Sequence, residues 1–467
     1  MLGDRSASRR AGWWTAVALT WAAGAAHAMD PDRAMSQYVR ERWGTDRGFP
    51  GGTVRAISQT ADGYLWLGTD KGLVRFDGSA FRRIPEPSRA SPSIARVLGL
   101  TADGRGDLWI RLGGPRVVRY HDGRLESLSP LETMEDAVTA ITRTRDGAIL
   151  LAGIVNGPLR WSADRLEALA PRAELPARSP VTSMSEAGDG TIWMGTQGEG
   201  LLYLARGHVT AVTSGLPDRA ITAVLPVGAR DVWVATSKGL ARWNGARITE
   251  EGLAPSLRRV VTSTMMVDRE SNVWIGTTDG LLRVNSKGVS RLEDDEPSPR
   301  LDVTALFEDR EGSLWIGTPH GLERLRDSSF TTYGRDEGLP SESNGPIYVD
   351  AQGRAWFAPI GGGLYWLRNG QVGQVIAEGL AADVIYSIAG SKSGLWLGRK
   401  AGGLTRLVIA GSVARHFSLL ESELTFVDCA HESHSDLTPL GGSHRQRTLS
   451  ETVSADTQSM RSSRNFY

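Results

Sequence analysis

The stretch GTVRAISQTADGYLWLGTDKGLVRFDG, residues 52–78, decides the fold. Val54 to Ile57 is apolar and β-prone, Asp62-Gly63 is hairpin chemistry, and Leu65 to Thr69 is a second β-prone run. After Asp70-Lys71-Gly72 a third run spans Leu73 to Phe76, Asp77-Gly78 turns the chain again, and a fourth run ends at Ile84. Four short strands joined by three tight turns make one antiparallel sheet. Its second strand is apolar on both faces, as in a strand covered from each side. Trp66 has the bulk to fill a wedge between two such sheets, and Gly68 lets the adjacent backbone come close.

Working outward, the same unit returns as DLWIRL at 107, TIWMGT at 191, DVWVAT at 231, NVWIGT at 272, SLWIGT at 313, RAWFAP at 354 and GLWLGR at 394. Its anchors are Trp66, Trp109, Trp193, Trp233, Trp274, Trp315, Trp356 and Trp396, and Leu150 of AILLAG stands where the doubled interval between 109 and 193 lacks one. Nine units at spacings of 40 to 43 residues follow, and a period of ~40–45 residues of short β-rich segments is that of propeller blades. The fold expected is therefore all-β, a β-propeller of four-stranded blades. Tryptophans that recur at one position in every unit read as packing, and so do Trp161, Trp243 and Trp366 at the third-strand position. The run Tyr38 to Trp43 is an extra outer strand with no blade of its own, and would complete a blade built later in the chain.

The segment 52–78 resembles the two-component regulator propeller repeat, V-x-A-I-x-x-x-x-D-G-x-L-W-[LI]-G-T-x-x-G-L-x-R-[FY], and residues 303–325 and 261–284 are nearly as close. The resemblance covers about residues 36 to 410. It implies an extracytoplasmic sensor region of bacterial histidine kinases or diguanylate cyclases, commonly two seven-bladed propellers followed by a β-sandwich, a membrane helix and an output domain, in receptors that are dimeric. On that guide the chain divides into a seven-bladed ring over 29–340 and two further blades of an incomplete second propeller over 341–416. Neither sandwich, membrane helix, kinase motif nor cyclase motif is found after residue 410, so the chain reads as apparently truncated. Residues 417–467, rich in Ser, Thr and His with the single Cys429, read as a disordered or aberrant tail.

Before the repeats, Arg5, Arg9 and Arg10 precede an uncharged apolar stretch from 11 to 26 that ends in Ala26-His27-Ala28. A basic segment, a short apolar segment and an A-x-A site read as a signal peptide over 1–28, cleaved after Ala28. The expected location is periplasmic or secreted, with no membrane span after cleavage. Lys plus Arg and Asp plus Glu are 53 each, which excludes a general nucleic-acid binder relying on basic excess. One cysteine excludes an internal disulfide and paired-Cys metal sites.

Chemistry is sparse. No G-x-S-x-G elbow, H-E-x-x-H helix or P-loop is present, and the repeated Asp of the D-G turn reads as hairpin chemistry. His416, His431, His434 and His444 lack ligand spacing, so no catalytic residue, metal or cofactor is assigned. Loops joining second to third strands share one face with the loops between blades, and there the residues vary most: Lys71, Arg116, Asn156, Glu199, Lys238, Asp279 and His320. Variation against a repeated scaffold marks that face as the candidate ligand-binding site, for a small molecule or a glycan. The function expected is a ligand-sensing propeller region of a signal-transduction receptor and not an enzyme; the alternative is a secreted propeller enzyme resembling streptogramin lyase or a polysaccharide-active propeller.

Overall fold

The computed structural model describes residues 29–85 and 96–418, apart from 115, 129–130, 132–135, 177–179, 229, 293–300, 329, 335–337, 340–343, 377–378, 392–393 and 411–412. The signal sequence, Cys429 and three of the four tail histidines lie outside the described residues. Nine four-stranded antiparallel sheets are formed among those described. In blade one the strands are Val54–Gln59, Leu65–Thr69, Gly72–Phe76 and Phe81–Arg83, paired in sequence order from inside outward. Blades two to six repeat that meander, beginning at Val97, Val138, Val181, Ile221 and Thr262. The chain splits into two compact units, up to Thr332 and from Tyr333.

The first unit is a closed ring of seven blades. Blade seven takes Ala305–Glu308, Leu314–Gly317 and Leu322–Arg326 from late in the chain, and its outer strand is Val39–Trp43, paired antiparallel from Val39 opposite Arg326 to Trp43 opposite Leu322. The extra strand at the start of the chain thus completes the last blade of this ring. Trp43 stacks on Trp315 with ring centroids 5.4 Å apart. Preceding residues strap the same rim: Arg283 donates to the carbonyl of Arg33 at 2.8 Å, and Met29 is buried among Trp274, Val303 and Leu314. Blade seven then meets blade one, where Val54 N–H donates to the Thr318 carbonyl at 3.1 Å.

Three residue types of the repeat hold neighbouring blades together. The tryptophans of the first seven blades are buried between sheets, with Trp274 at 0 % exposure. Glycine is required where the next blade touches: a Cβ on Gly68, Gly195 or Gly276 would lie 2.5 Å from Val97, Ile221 or Val303. An arginine after the first strand clasps the turn of the following blade. Arg310 donates to the carbonyls of Thr60 and Ala61 at 2.6 and 2.8 Å across the seam between blades seven and one. Arg269 does the same to Asp309 and Arg310, and Arg145 reaches Gly188.

The second unit contains blades eight and nine, beginning at Asn344 and Ile385. They pack through Trp356, Ala358, Ile385, Ile388 and Leu397. Ile347 and Val349, in the first strand of blade eight, are 64 % and 60 % exposed. The outer strand of blade nine, Val413–Ser418, runs two residues past the expected end of the repeats, and His416 lies in it opposite Leu407.

Candidate functional site

The Thr of the repeat builds the loop face. In blades one, four, five, six and seven it ends or follows the second strand as Thr69, Thr196, Thr236, Thr277 and Thr318, all buried. Each hydroxyl donates to the carbonyl of the glycine that opens or precedes the third strand, at 2.7 to 3.2 Å. Each also accepts the N–H of a turn residue: Lys71 at 3.1 Å, Glu199 at 2.9 Å, Lys238 at 3.2 Å, Asp279 at 3.0 Å and His320 at 3.1 Å. Blade three has Gly153 at this position, and buried Asp136 substitutes by accepting from Asn156 N–H at 2.7 Å. In blade two the N–H of Leu112 donates to the Arg116 carbonyl at 2.9 Å.

All seven residues singled out by sequence therefore sit in the turn between the second and third strands, one per ring blade, and all seven are exposed. Because strand direction alternates within each blade, these turns share one face of the ring. Their backbones are pinned and their side chains project, so the face is a rigid frame with variable groups. Two are already paired outside their own turns: Lys238 with Asp218 at 2.9 Å, and Asp279 with Arg291, in the outer strand of the same blade, at 3.0 Å. The N–H of Ala220 and the hydrogen bonds of Lys238 and Ser237 hold the Asp218 carboxyl well below the usual carboxylate range. The seven are spread around the rim on separate blades and do not form one cluster.

On the opposite face the structure shows a carboxylate that the repeated D-G pattern concealed. The residue six before the tryptophan, not four, accepts the indole N–H: Asp103, Asp268, Asp309 and Asp350 bind Trp109, Trp274, Trp315 and Trp356 at 3.1, 2.7, 2.6 and 2.9 Å. In blade one Thr60 takes that part at 2.8 Å. In blade four Ala187 cannot, and the buried Trp193 Nε1 has no partner. These carboxylates are structural, and the signal that would have found them is the fixed offset from tryptophan. Asp62 serves the turn itself, accepting from the Thr60 hydroxyl at 2.5 Å. Among the described residues, no group of three or more His, Cys, Asp or Glu is placed to hold a metal ion.

Comparison with known proteins accords with this geometry. The family description "Two component regulator propeller" matches residues 48–71 and 298–320. Those segments are two-component regulator propeller repeats. They lie at the entries to blades one and seven, the two blades that close the ring. Of solved structures, the extracellular domain of a hybrid two component system from B. thetaiotaomicron aligns at TM-score 0.63 with 20% identity, covering 82% of this chain and 55% of that one. The extracellular domain of a one component system from the same organism aligns at 0.51 with 18% identity, covering 80% and 52%. Virginiamycin B lyase from Staphylococcus aureus aligns at 0.50 with 14% identity, covering 63% of this chain and 100% of that one. This chain thus spans about half the length of the two extracellular domains. At such identities the likeness is one of fold, a β-propeller. No curated protein matches at a significant level. No helix among the described residues is long and apolar enough to cross a membrane.

Proposed function

We propose that this chain is the ligand-sensing propeller region of a two-component-type receptor, acting outside the cytoplasmic membrane. The observation that carries this reading is the pair of two-component regulator propeller repeats at the seam of a closed ring, in a fold shared with extracellular domains of signalling systems. The ring suits the task. Tryptophan wedges and arginine clasps make it stiff, and the exposed turns at Lys71, Arg116, Asn156, Glu199, Lys238, Asp279 and His320 present different chemistry on one face. The ligand is a small molecule or a glycan that bridges several of those turns. No observation beyond shared fold favours a lyase.

Residues 1–28 act as the export signal, and processing after Ala28 makes Met29 the first residue of the exported chain. Mass spectrometry of the exported protein reads that terminus directly. Ligand sensing is tested by a thermal-shift screen of the exported protein against pools of glycans, peptides and small metabolites. A ligand at a hundredfold its dissociation constant contributes about 2.7 kcal/mol to the folded state, a shift that is easily seen. A cooperatively folded protein that no pool stabilises overturns the reading.

A further inference from the structure

The ring blades share one cross-strand pair near the loop face, and one blade breaks it. In six of seven blades the second-strand member is Gly or Ala and its partner is Ala, Ser or Thr, as in Ala56 opposite Gly68 and Ala305 opposite Gly317. Blade two inverts the sizes, with Gly99 opposite Arg111. The exchange is specific, because a Cβ at residue 99 would sit 3.2 Å from Arg111 Nε and 3.0 Å from Ile141 of blade three. Glycine on the innermost strand makes room for a guanidinium between blades two and three. There Arg111 donates to the Leu98 carbonyl of that strand at 3.1 Å.

Such a group is costly where it lies. Withdrawal from water disfavours the charged form and lowers its pKa from the usual arginine value, and no carboxylate is paired with it among the described residues. A secluded cation without a counter-ion is ordinarily selected against. Arg111 is also not sealed: the Nε atoms of Arg119 and Arg283 are buried without partners, while no nitrogen of Arg111 is. Donors not given to Leu98 therefore keep an opening. The charge around the neighbouring turns has the same sign. Arg55 donates to Asp70 at 2.9 Å. Burial pushes the Asp70 carboxyl up, but hydrogen bonds from Arg55 and Thr53 and the charges of Arg55 and Arg96 outweigh this and hold it below its ordinary value. The Arg96 carbonyl accepts from Gly113 N–H at 2.9 Å, and the Lys71 ammonium has no ion pair among the described residues. Asp70 thus answers Arg55 and Arg96.

We propose that Arg111 holds an oxyanion of a small ligand, a carboxylate or sulfate group, at the seam between blades two and three. This deepens the sensor reading and rests on it. A planar guanidinium with free donors matches such a group in a bidentate pair. The test is calorimetric titration of the full exported chain at fixed ionic strength with citrate, galacturonate and inorganic sulfate, and with glucose and galactose as neutral controls. The three anions separate a free organic acid, a sugar acid and an inorganic ion as the source. The informative variant is Gly99→Ala with Arg111→Gly, which installs the pair of blade one and is expected to unfold at or above the midpoint of the native chain. At least one oxyanion is expected to bind, with affinity falling tenfold or more in the double variant. An anion bound equally by both proteins overturns the assignment. So does a native protein that binds a neutral sugar and no oxyanion, a result that leaves the sensor reading standing.

Discussion

Replacing Asp309 with alanine is expected to destabilise the ring by about 2–4 kcal/mol, since each buried donor it leaves unpaired costs roughly 1–3 kcal/mol and removing a buried carboxylate returns part of that. The donors are named by the structure: Oδ1 accepts from Ser313 N–H at 2.7 Å and Oδ2 from Trp315 Nε1 at 2.6 Å. Asp309, Ser313 and Trp315 are 4 %, 7 % and 2 % exposed, so water does not readily replace the lost acceptor. Asp62→Ala is the matched control. Asp62 occupies the D-G turn that looks alike in sequence, yet Trp66 is bound by Thr60, and the loss there should stay within about 1 kcal/mol, the worth of an ordinary hydrogen bond. Urea unfolding followed by tryptophan fluorescence and far-ultraviolet circular dichroism gives both values. Equal costs for the two substitutions would refute the reasoning, because they would show that the indole acceptor adds nothing to the turn.

Ala187→Thr in blade four offers the orphaned Trp193 Nε1 the acceptor that Thr60 provides in blade one, and should raise stability by about 1 kcal/mol in the same assay. Gly276→Ala drives a methyl into Val303 at 2.5 Å and should cost roughly 1–3 kcal/mol as overpacking; if Val303→Ala does not recover most of it in a double-mutant cycle, the contact is not the cause. Arg310→Ala removes the clasp between blades seven and one, so amide exchange should accelerate in Val54–Gln59 and Val39–Trp43 before it does in blade four. His121 hydrogen-bonds Asp107 at 2.6 Å, and that bond with the Asp107 charge raises the imidazole above 6.5. Since the folded value is the higher, its contribution to stability is complete below about pH 6.5 and fades as pH climbs through the folded midpoint. Proton NMR should place that midpoint above 6.5, and Asp107→Asn should bring it back.

What repeats in this chain is legible in its sequence. The tryptophans and the glycines at 68, 195, 276 and 317 carry their reasons locally, since a wedge needs bulk and a close approach needs its absence. The outer strand Val39–Trp43 was legible as a strand but not as a partner of Leu322–Arg326, because 283 residues separate Arg40 from the Glu323 it binds at 2.8 Å and period alone does not pair distant segments. Asp309 was hidden by Asp62, which resembles it in the string and differs in offset from the indole. Strand alternation puts the seven variable residues in turns on one face, yet the ion pairs of Lys238 with Asp218 and of Asp279 with Arg291 reach residues outside those turns. Arg111 is hard to read for the opposite reason: against a repeat one departure resembles ordinary drift, and the pairing with Gly99 across the strands shows that the change is compensated.

The strand that opens the ring in sequence closes it in space, and this sets an order of events during biosynthesis. Val39–Trp43 emerges first from any ribosome or export channel, but its partner strand does not exist until Arg326 has been made. For nearly three hundred residues of growth Trp43 waits without Trp315, its backbone donors and acceptors open to any other strand. Blades one to six can form meanwhile from contacts within about forty residues, while the last cannot. Folding of the ring is therefore gated by completion of its final blade, and a chain stalled short of that point presents an unpaired edge at its very start.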